Sequence, residues 1–415
     1  MTRRAILKGI AAAPFLTTAG TLLTSTPAEA ATIDAGQFTL AARSSNGYGE
    51  FADLTAGLTG KLAKVDATAV IADTNRTAIH LTSAPNTAKA FQTGFAWDSG
   101  DQAVTYWTPQ GVTTSADAYG NGLYPDGGTN KVVLVSWYFD DGTATDKGTR
   151  LTFVDYSNAS APTYRHVLLV EPVKTSAGEY SFNPIHRHAG GIMWYGNLLY
   201  MVDTFKGLRV FDLNTLFQVA TAETEVCGLH TDGSYYGYGY KYVLPQSYAY
   251  DNTGTYLRYT AIGLDRASSP DSLVISEYSY AGVVDYSDKT FIGDGTKIGT
   301  PKVVRWDLDY TDRKLRSLTS TEAVTISQQK IQGVVSRNSK HYLSVSDGET
   351  TKGTLRTFTS GSDTTTAVCD LAIGCEDLSY HSSGASGWAF SKSVIWNTTE
   401  YDGTRYVYAV HADGS

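Results

Sequence analysis

Cysteine is almost missing from this chain of 415 residues, which holds three, at Cys227, Cys369 and Cys375. So few cannot form a disulfide framework, and a chain of this length must be held by a buried apolar core. Runs of lysine and arginine are missing too. With 33 basic against 41 acidic residues and a net charge of −8, nucleic acid and anionic membrane are poor partners. No apolar run in the body of the chain reaches the roughly 18 residues of a membrane span. There is no Gly-x-Ser-x-Gly elbow, no His-Glu-x-x-His and no Walker loop, so serine hydrolase, zincin and nucleotide-binding readings lack a motif. Amphipathic helical periodicity is absent as well, which disfavours helical and α/β folds.

What is present begins at the N-terminus. Thr2-Arg3-Arg4-Ala5-Ile6-Leu7-Lys8 precedes an apolar stretch from Gly9 to Leu23 and the small-residue site Ala28-Glu29-Ala30. This is the pattern of a twin-arginine export signal over residues 1–30, followed by one domain over residues 31–415. In an exported protein Cys369 and Cys375, six apart, are placed to close one small disulfide, leaving Cys227 free. The 40 glycines, 28 tyrosines and 7 tryptophans suit twisted strands, tight turns and sugar-facing surfaces.

A glutamine, histidine or acid stands just before a short strand in five places, at Gln110, His188, Gln246, Gln332 and Glu376. After His188 come an apolar run to Tyr195, the turn Gly196-Asn197, a run from Leu198 to Asp203, a polar loop, and a run from Leu208 to Leu213. The segments after Gln246, Gln332 and Glu376 repeat that order, and Lys131 to Phe139, Arg150 to Tyr156 and Tyr164 to Val173 repeat it more loosely. Radial repetition of three- or four-stranded units is a β-propeller. The expectation is an all-β, single-domain propeller of six blades, one of them in Thr77 to Trp107. A seventh is conceivable through Lys302 to Asp309, and the N-terminal strand Phe38 to Arg43 would close the ring.

Residues at one register converge on one mouth of the central channel. That expectation gathers Gln110, His186, His188, Gln246, Gln332, Glu376 and Asp377 with Asp203, Lys206, Arg266, Asp347 and Glu400. His186 and His188 share one side of an extended chain, and His188, before Ala189-Gly190-Gly191, is the better base. Arg266 is a candidate two-pronged clamp for a carboxylate. Glu376 and Glu400 form the alternative pair, two carboxyls as glycoside hydrolysis requires. Trp107 and Trp137 are candidate stacking surfaces for sugar. No metal centre is expected; a calcium ion stays open, since the mouth is rich in carboxylates although no spaced Asp-x-Asp-x-Asp loop is present.

On His188-Ala-Gly-Gly, Trp107-Thr-Pro-Gln110-Gly111 and Glu376-Asp377-Leu378, the chain resembles a group of exported actinobacterial propellers. In architecture it also resembles the secreted L-rhamnose-α-1,4-D-glucuronate lyases, seven-bladed propellers that remove rhamnose caps from plant gum. That second resemblance implies β-elimination at a uronic acid. His188 would be the base, Arg266 with Gln110 or Gln332 the carboxylate clamp, and a tyrosine or His186 the acid. The expectation is therefore a secreted polysaccharide lyase, with a glycoside hydrolase and a non-catalytic carbohydrate-binding propeller as alternatives.

Overall fold

Apolar runs of five to eight residues, bounded by glycine, asparagine and aspartate, are too short for helices that bury a face and long enough for strands buried on both sides. In the computed structural model, which describes residues 32–142, 146–280, 284–285, 298–362 and 364–415, these runs form four-stranded antiparallel meanders. The first two are joined edge to edge by a parallel pairing of Leu168–Val170 with Val243–Pro245 into one 13-stranded sheet, and the last is extended to five strands by Ile79–His80. The first holds Trp107–Thr114, Val132–Phe139, Thr149–Asp155 and Thr163–Lys174. The second holds Ile192–Tyr195, Leu198–Asp203, Gly207–Asp212 and Tyr242–Asn252. Ala261–Asp265, Ser272–Ser276, Lys302–Asp307 and Glu322–Thr325 make the third. Ile331–Arg337, Lys340–Val345, Gly353–Thr359 and Thr366–Leu371 make the fourth. The fifth takes Cys375–His381, Val394–Thr399 and Tyr406–His411 from the end of the chain and Phe91–Ala96 from its beginning.

The first strand of each sheet packs beside the first strand of the next, and that of the fifth returns to that of the first. The ring is tight. A Cβ on Gly111 would lie 2.8 Å from the amide nitrogen of Ile192, and one on Gly191 would lie 2.7 Å from that of Ile262. Gly263 and Gly333 abut the next inner strand in the same way, at Val334 and at Glu376. At the matching place in the fifth strand stands Asp377. Its Oδ2 accepts the backbone N–H of Ile192 at 3.0 Å and of Val112 at 3.3 Å, joining three inner strands through one carboxyl.

Several expectations change. The sheets do not separate into six independent units, since the first two meanders share one 13-stranded sheet. Thr77 to Trp107 is not a separate sheet: its strand Phe91–Ala96 lies along Tyr406–His411. The early strand Leu40–Arg43 pairs with Ala249–Asn252 at the rim of the second sheet, not with the last one. The reason is length, since the fifth sheet already has its outer strand and offers Phe38 to Arg43 no edge. Four short helices also form, and Phe51–Thr59 buries Phe51, Leu54 and Leu58 on one stripe. The cysteines are all free, with Cys375 buried and its thiol donating to the Val345 carbonyl at 3.4 Å, so the expected disulfide is not made. The leader, residues 1–30, lies outside the described residues.

Candidate active site at the channel mouth

Three of the recurring polar residues share one local cause. In the first sheet Pro109 pairs with Trp137 and Val112 with Val135, leaving Gln110 and Gly111 opposite one residue. The same slip occurs between Ile331 and Gly333, at Gln332, and between Cys375 and Leu378, at Glu376 and Asp377. These are β-bulges, which re-aim a side chain out of the pleat. In each case the bulge sits at the end of the inner strand that opens on the mouth. Glu400 reaches the same place from the turn after Val394–Thr399.

Gln110 donates its amide N–H to Glu400 Oε2 at 3.3 Å and to the Pro109 carbonyl at 3.0 Å. Glu376 is fully buried and Glu400 half-buried. Both carboxyls act on the same two neighbours. Burial, then the charges of Glu400 and Glu376, push the Tyr401 hydroxyl up, and burial with Glu376 and Glu400 pushes the Cys375 thiol up to about 12. His188 forms a side wall, its ring centred 4.3 Å from that of Tyr138. Gln110, Glu376 and Glu400 thus lie together, while His188 precedes and Gln332 lies within the same end of their own inner strands.

Other expected members are elsewhere or engaged. Gln246 lies in the outer strand of the second sheet, bonded to Arg209 and to the Tyr248 carbonyl; a run of small polar and aromatic residues had concealed a long edge strand. Arg266 follows the end of its inner strand, at the opposite face from the mouth. There it donates to the carbonyls of Asp117 and Ala118 and pairs with Asp271 at 3.3 Å. His186 pairs with Asp146 at 3.0 Å near the surface. Asp203 receives both Arg187 and Arg209, at 2.6 and 3.0 Å, and Lys206 stands exposed on the turn after it. Asp377 faces the ring, not the mouth. Asp347 is held by Lys330. Among the described residues no three His, Cys, Asp or Glu side chains gather into a metal-binding group.

Trp107 and Trp137 are not sugar platforms. Both are buried, and each places a ring 4.5 Å from the guanidinium of Arg150. Arg150 in turn pairs with Asp101 at 2.9 Å. Around them Trp137 Nε1 donates to Thr152, Thr152 bonds His166 Nδ1 at 2.7 Å, and His166 Nε2 meets Asp101 at 2.9 Å. The order hydroxyl, imidazole, carboxylate is that of a nucleophilic triad, yet the Thr152 hydroxyl is taken up by Trp137 and His166 within the core of the first sheet. Burial and the Arg150 charge lower His166 to about 3, so the ring is a neutral donor in a structural lock. A depression of about 470 Å³ at the outer edge of the first sheet, lined by Tyr48, Lys174, Ser181 and Asn183, holds none of the mouth residues.

Antiparallel meanders ranged about an axis, with a bulged polar cluster at one end, define an all-β protein of the β-propeller class. No family model matches the chain, and no curated protein matches it. Among solved structures it is similar to a GH43_1 enzyme from Xanthomonas citri, at 10% identity and a TM-score of 0.35, covering 76% of this chain and 93% of that one. The same enzyme complexed with xylotriose gives 11% and 0.36 over the same spans. The RS223 β-xylosidase gives 10% and 0.30, over 73% of this chain and 92% of that one.

The elimination reading is corrected here. The guanidinium that was to clamp a uronate, that of Arg266, sits at the other end of the channel from His188, taken up by the carbonyls of Asp117 and Ala118 and by Asp271. Neither the rhamnose–glucuronate lyase resemblance nor the actinobacterial group finds support in the comparisons.

Proposed function

We propose that this protein is a glycoside hydrolase acting on an oligosaccharide at the mouth of a five-bladed propeller whose ring is closed by Phe91–Ala96. The observation that carries the reading is the meeting of Glu400 with the bulge residue Gln110, while Glu376 lies in the fifth sheet's bulge beside the same Tyr401. Glycosidic hydrolysis needs one carboxyl to protonate the leaving oxygen and one carboxylate to act at the anomeric carbon or on a water. Burial favours the neutral form of a carboxyl, and an amide hydrogen bond favours the ionised one. Glu376, enclosed, is suited to the acid role. Glu400, more open and receiving the Gln110 N–H, is suited to be base or nucleophile. Water adds across the bond, its hydroxyl to the sugar and the proton from Glu376 to the departing oxygen. The twin-arginine pattern supports export, and an extracellular glycan is the substrate class that fits it.

The test is release of reducing ends from xylotriose and from a panel of nitrophenyl glycosides, with Glu400→Gln and Glu376→Gln compared with wild type. Each variant is expected to lose at least about a hundredfold in kcat, with the fold retained by circular dichroism. Full activity of Glu400→Gln would refute the assignment.

A further inference from the structure

We propose that Tyr106 is the stacking platform for a sugar ring of the substrate lying beyond the one held at Glu400, an inference that rests on the glycosidase reading above. Tyr106 is 44% exposed, although it adjoins the buried Trp107 and the first sheet's core. Its ring is braced from behind by Phe139, with centroids 5.4 Å apart and planes inclined by 55°. Its carbonyl accepts the Asp140 N–H at 2.9 Å, which ties it to the loop on the mouth side of the first sheet.

The segment leading into Tyr106 is fastened to the turn that carries Glu400. Gly403 N–H donates to the Gln102 carbonyl at 2.8 Å, and Arg405 donates to the carbonyls of Val104 at 2.6 Å and Asp101 at 2.8 Å. The aromatic ring and the carboxylate thus stand on two mutually fixed pieces of backbone. Tyr106 stands in the bend just before the strand Trp107–Thr114, four residues ahead of Gln110, a reach of up to about 13 Å at roughly 3.3 Å per residue. That is longer than one sugar ring, so the platform serves a distal ring of a chain and not the ring being cleaved. A rigid tyrosine with one open face and few rotatable bonds offers contact area at small entropic cost. The ligand it fits is the apolar face of a neutral sugar in an oligosaccharide of three or more units.

The experiment compares kcat/KM for xylotriose and for nitrophenyl xyloside, then for the matching arabinose and galactose pairs, in wild type, Tyr106→Ala, Tyr106→Phe and Glu400→Gln. Tyr106→Ala should lose about tenfold on the trisaccharide and nothing on the nitrophenyl monosaccharide, while Tyr106→Phe keeps both. Equal loss on both substrates, or no loss on either, overturns the platform. If Glu400→Gln is inactive and Tyr106→Ala is normal, only the platform falls. If Glu400→Gln turns over like wild type, or if wild type hydrolyses no member of the panel, the glycosidase reading falls and the platform with it.

Discussion

His381 ends the inner strand of the fifth sheet, and replacing it by phenylalanine should stabilise the protein, increasingly so as the pH falls. The imidazole is fully buried between Trp388 and Phe390, with ring centroids at 4.9 and 5.0 Å, and neither of its nitrogens has a hydrogen-bond partner. Burial, with the nearby Lys131 charge, lowers its pKa to about 3 from the 6.5 of a free histidine. A depressed folded value means that the stability it allows is present above about pH 6.5 and is lost as pH falls toward 3. At pH 5 the unfolded chain gains about 2 kcal/mol by protonating this one ring, and at pH 7 only about 0.2 kcal/mol. Phenylalanine fills nearly the same volume and removes two unsatisfied polar atoms, for roughly 1–2 kcal/mol at pH 7. The gap between His381→Phe and wild type should therefore widen by about 2 kcal/mol between pH 7 and pH 5. Urea unfolding at both pH values measures it. His166 and His341, lowered to about 3 and about 4, weaken both proteins alike in acid and cancel in the difference. A gap of equal size at the two pH values would show that His381 is not a neutral ring sealed from water.

The ring's tightness makes Gly191→Val intolerable, since the added atoms would strike the backbone of Ala261 and Ile262; it should yield no soluble folded protein, whereas Gly120→Ala, with nothing within 4 Å, should melt like wild type. At the alkaline end the sign reverses. Burial raises both Asp117 and Asp377, with Asp117 adding to the Asp377 shift against the backbone N–H groups that oppose it. Carboxyls raised in the fold keep stability that is full below their unfolded value near 4 and is lost as pH climbs toward the folded one. Asp377→Asn keeps an acceptor for Val112 and Ile192 and removes the titration, so its melting temperature should fall less than that of wild type between pH 6 and pH 9, as differential scanning calorimetry would show.

Strand positions were legible wherever an apolar run met a glycine or asparagine turn. Ile192–Tyr195, Leu198–Asp203 and Gly207–Asp212 fall within a residue or two of expectation. The repeated glutamines and Glu376 were legible as a register, but their meaning as bulge residues was not, since a bulge is a property of two strands and only one is read at a time. Gln246 was misplaced because an outer strand pairing on both sides looks, in sequence, like the start of another repeat. The closing strand was missed for a topological reason: Phe91–Ala96 and Leu40–Arg43 are both N-terminal strands, and nothing local says which reaches Tyr406–His411. Tyr106 was passed over in favour of Trp107 because alternation along a strand fixes that one faces in and the other out, not which is which.

The site's location follows from how the ring is closed. Four inner strands approach their neighbours through glycine, and the fifth does so through Asp377, whose carboxyl spans to Val112 and Ile192. Anchoring that side chain fixes the bulge in which Glu376 is the preceding residue, and so fixes the backbone that carries Glu376. Asn397 completes the support by donating to the carbonyls of Glu376 and Asp377 at 2.8 and 2.9 Å. On the other side of the same seam, Gln110 holds Glu400 while Arg405 and the Asp101–Arg150 lock join the last sheet to the first. Glu376, Glu400 and Tyr106, the residues proposed above as acid, base and platform, all lie along the seam between the first and fifth sheets. Glu376 lies in one strand of the fifth sheet and Glu400 directly follows the adjacent one, and the bonds across the seam to the first sheet hold the two carboxyls in fixed relation, as the proposed hydrolysis would require.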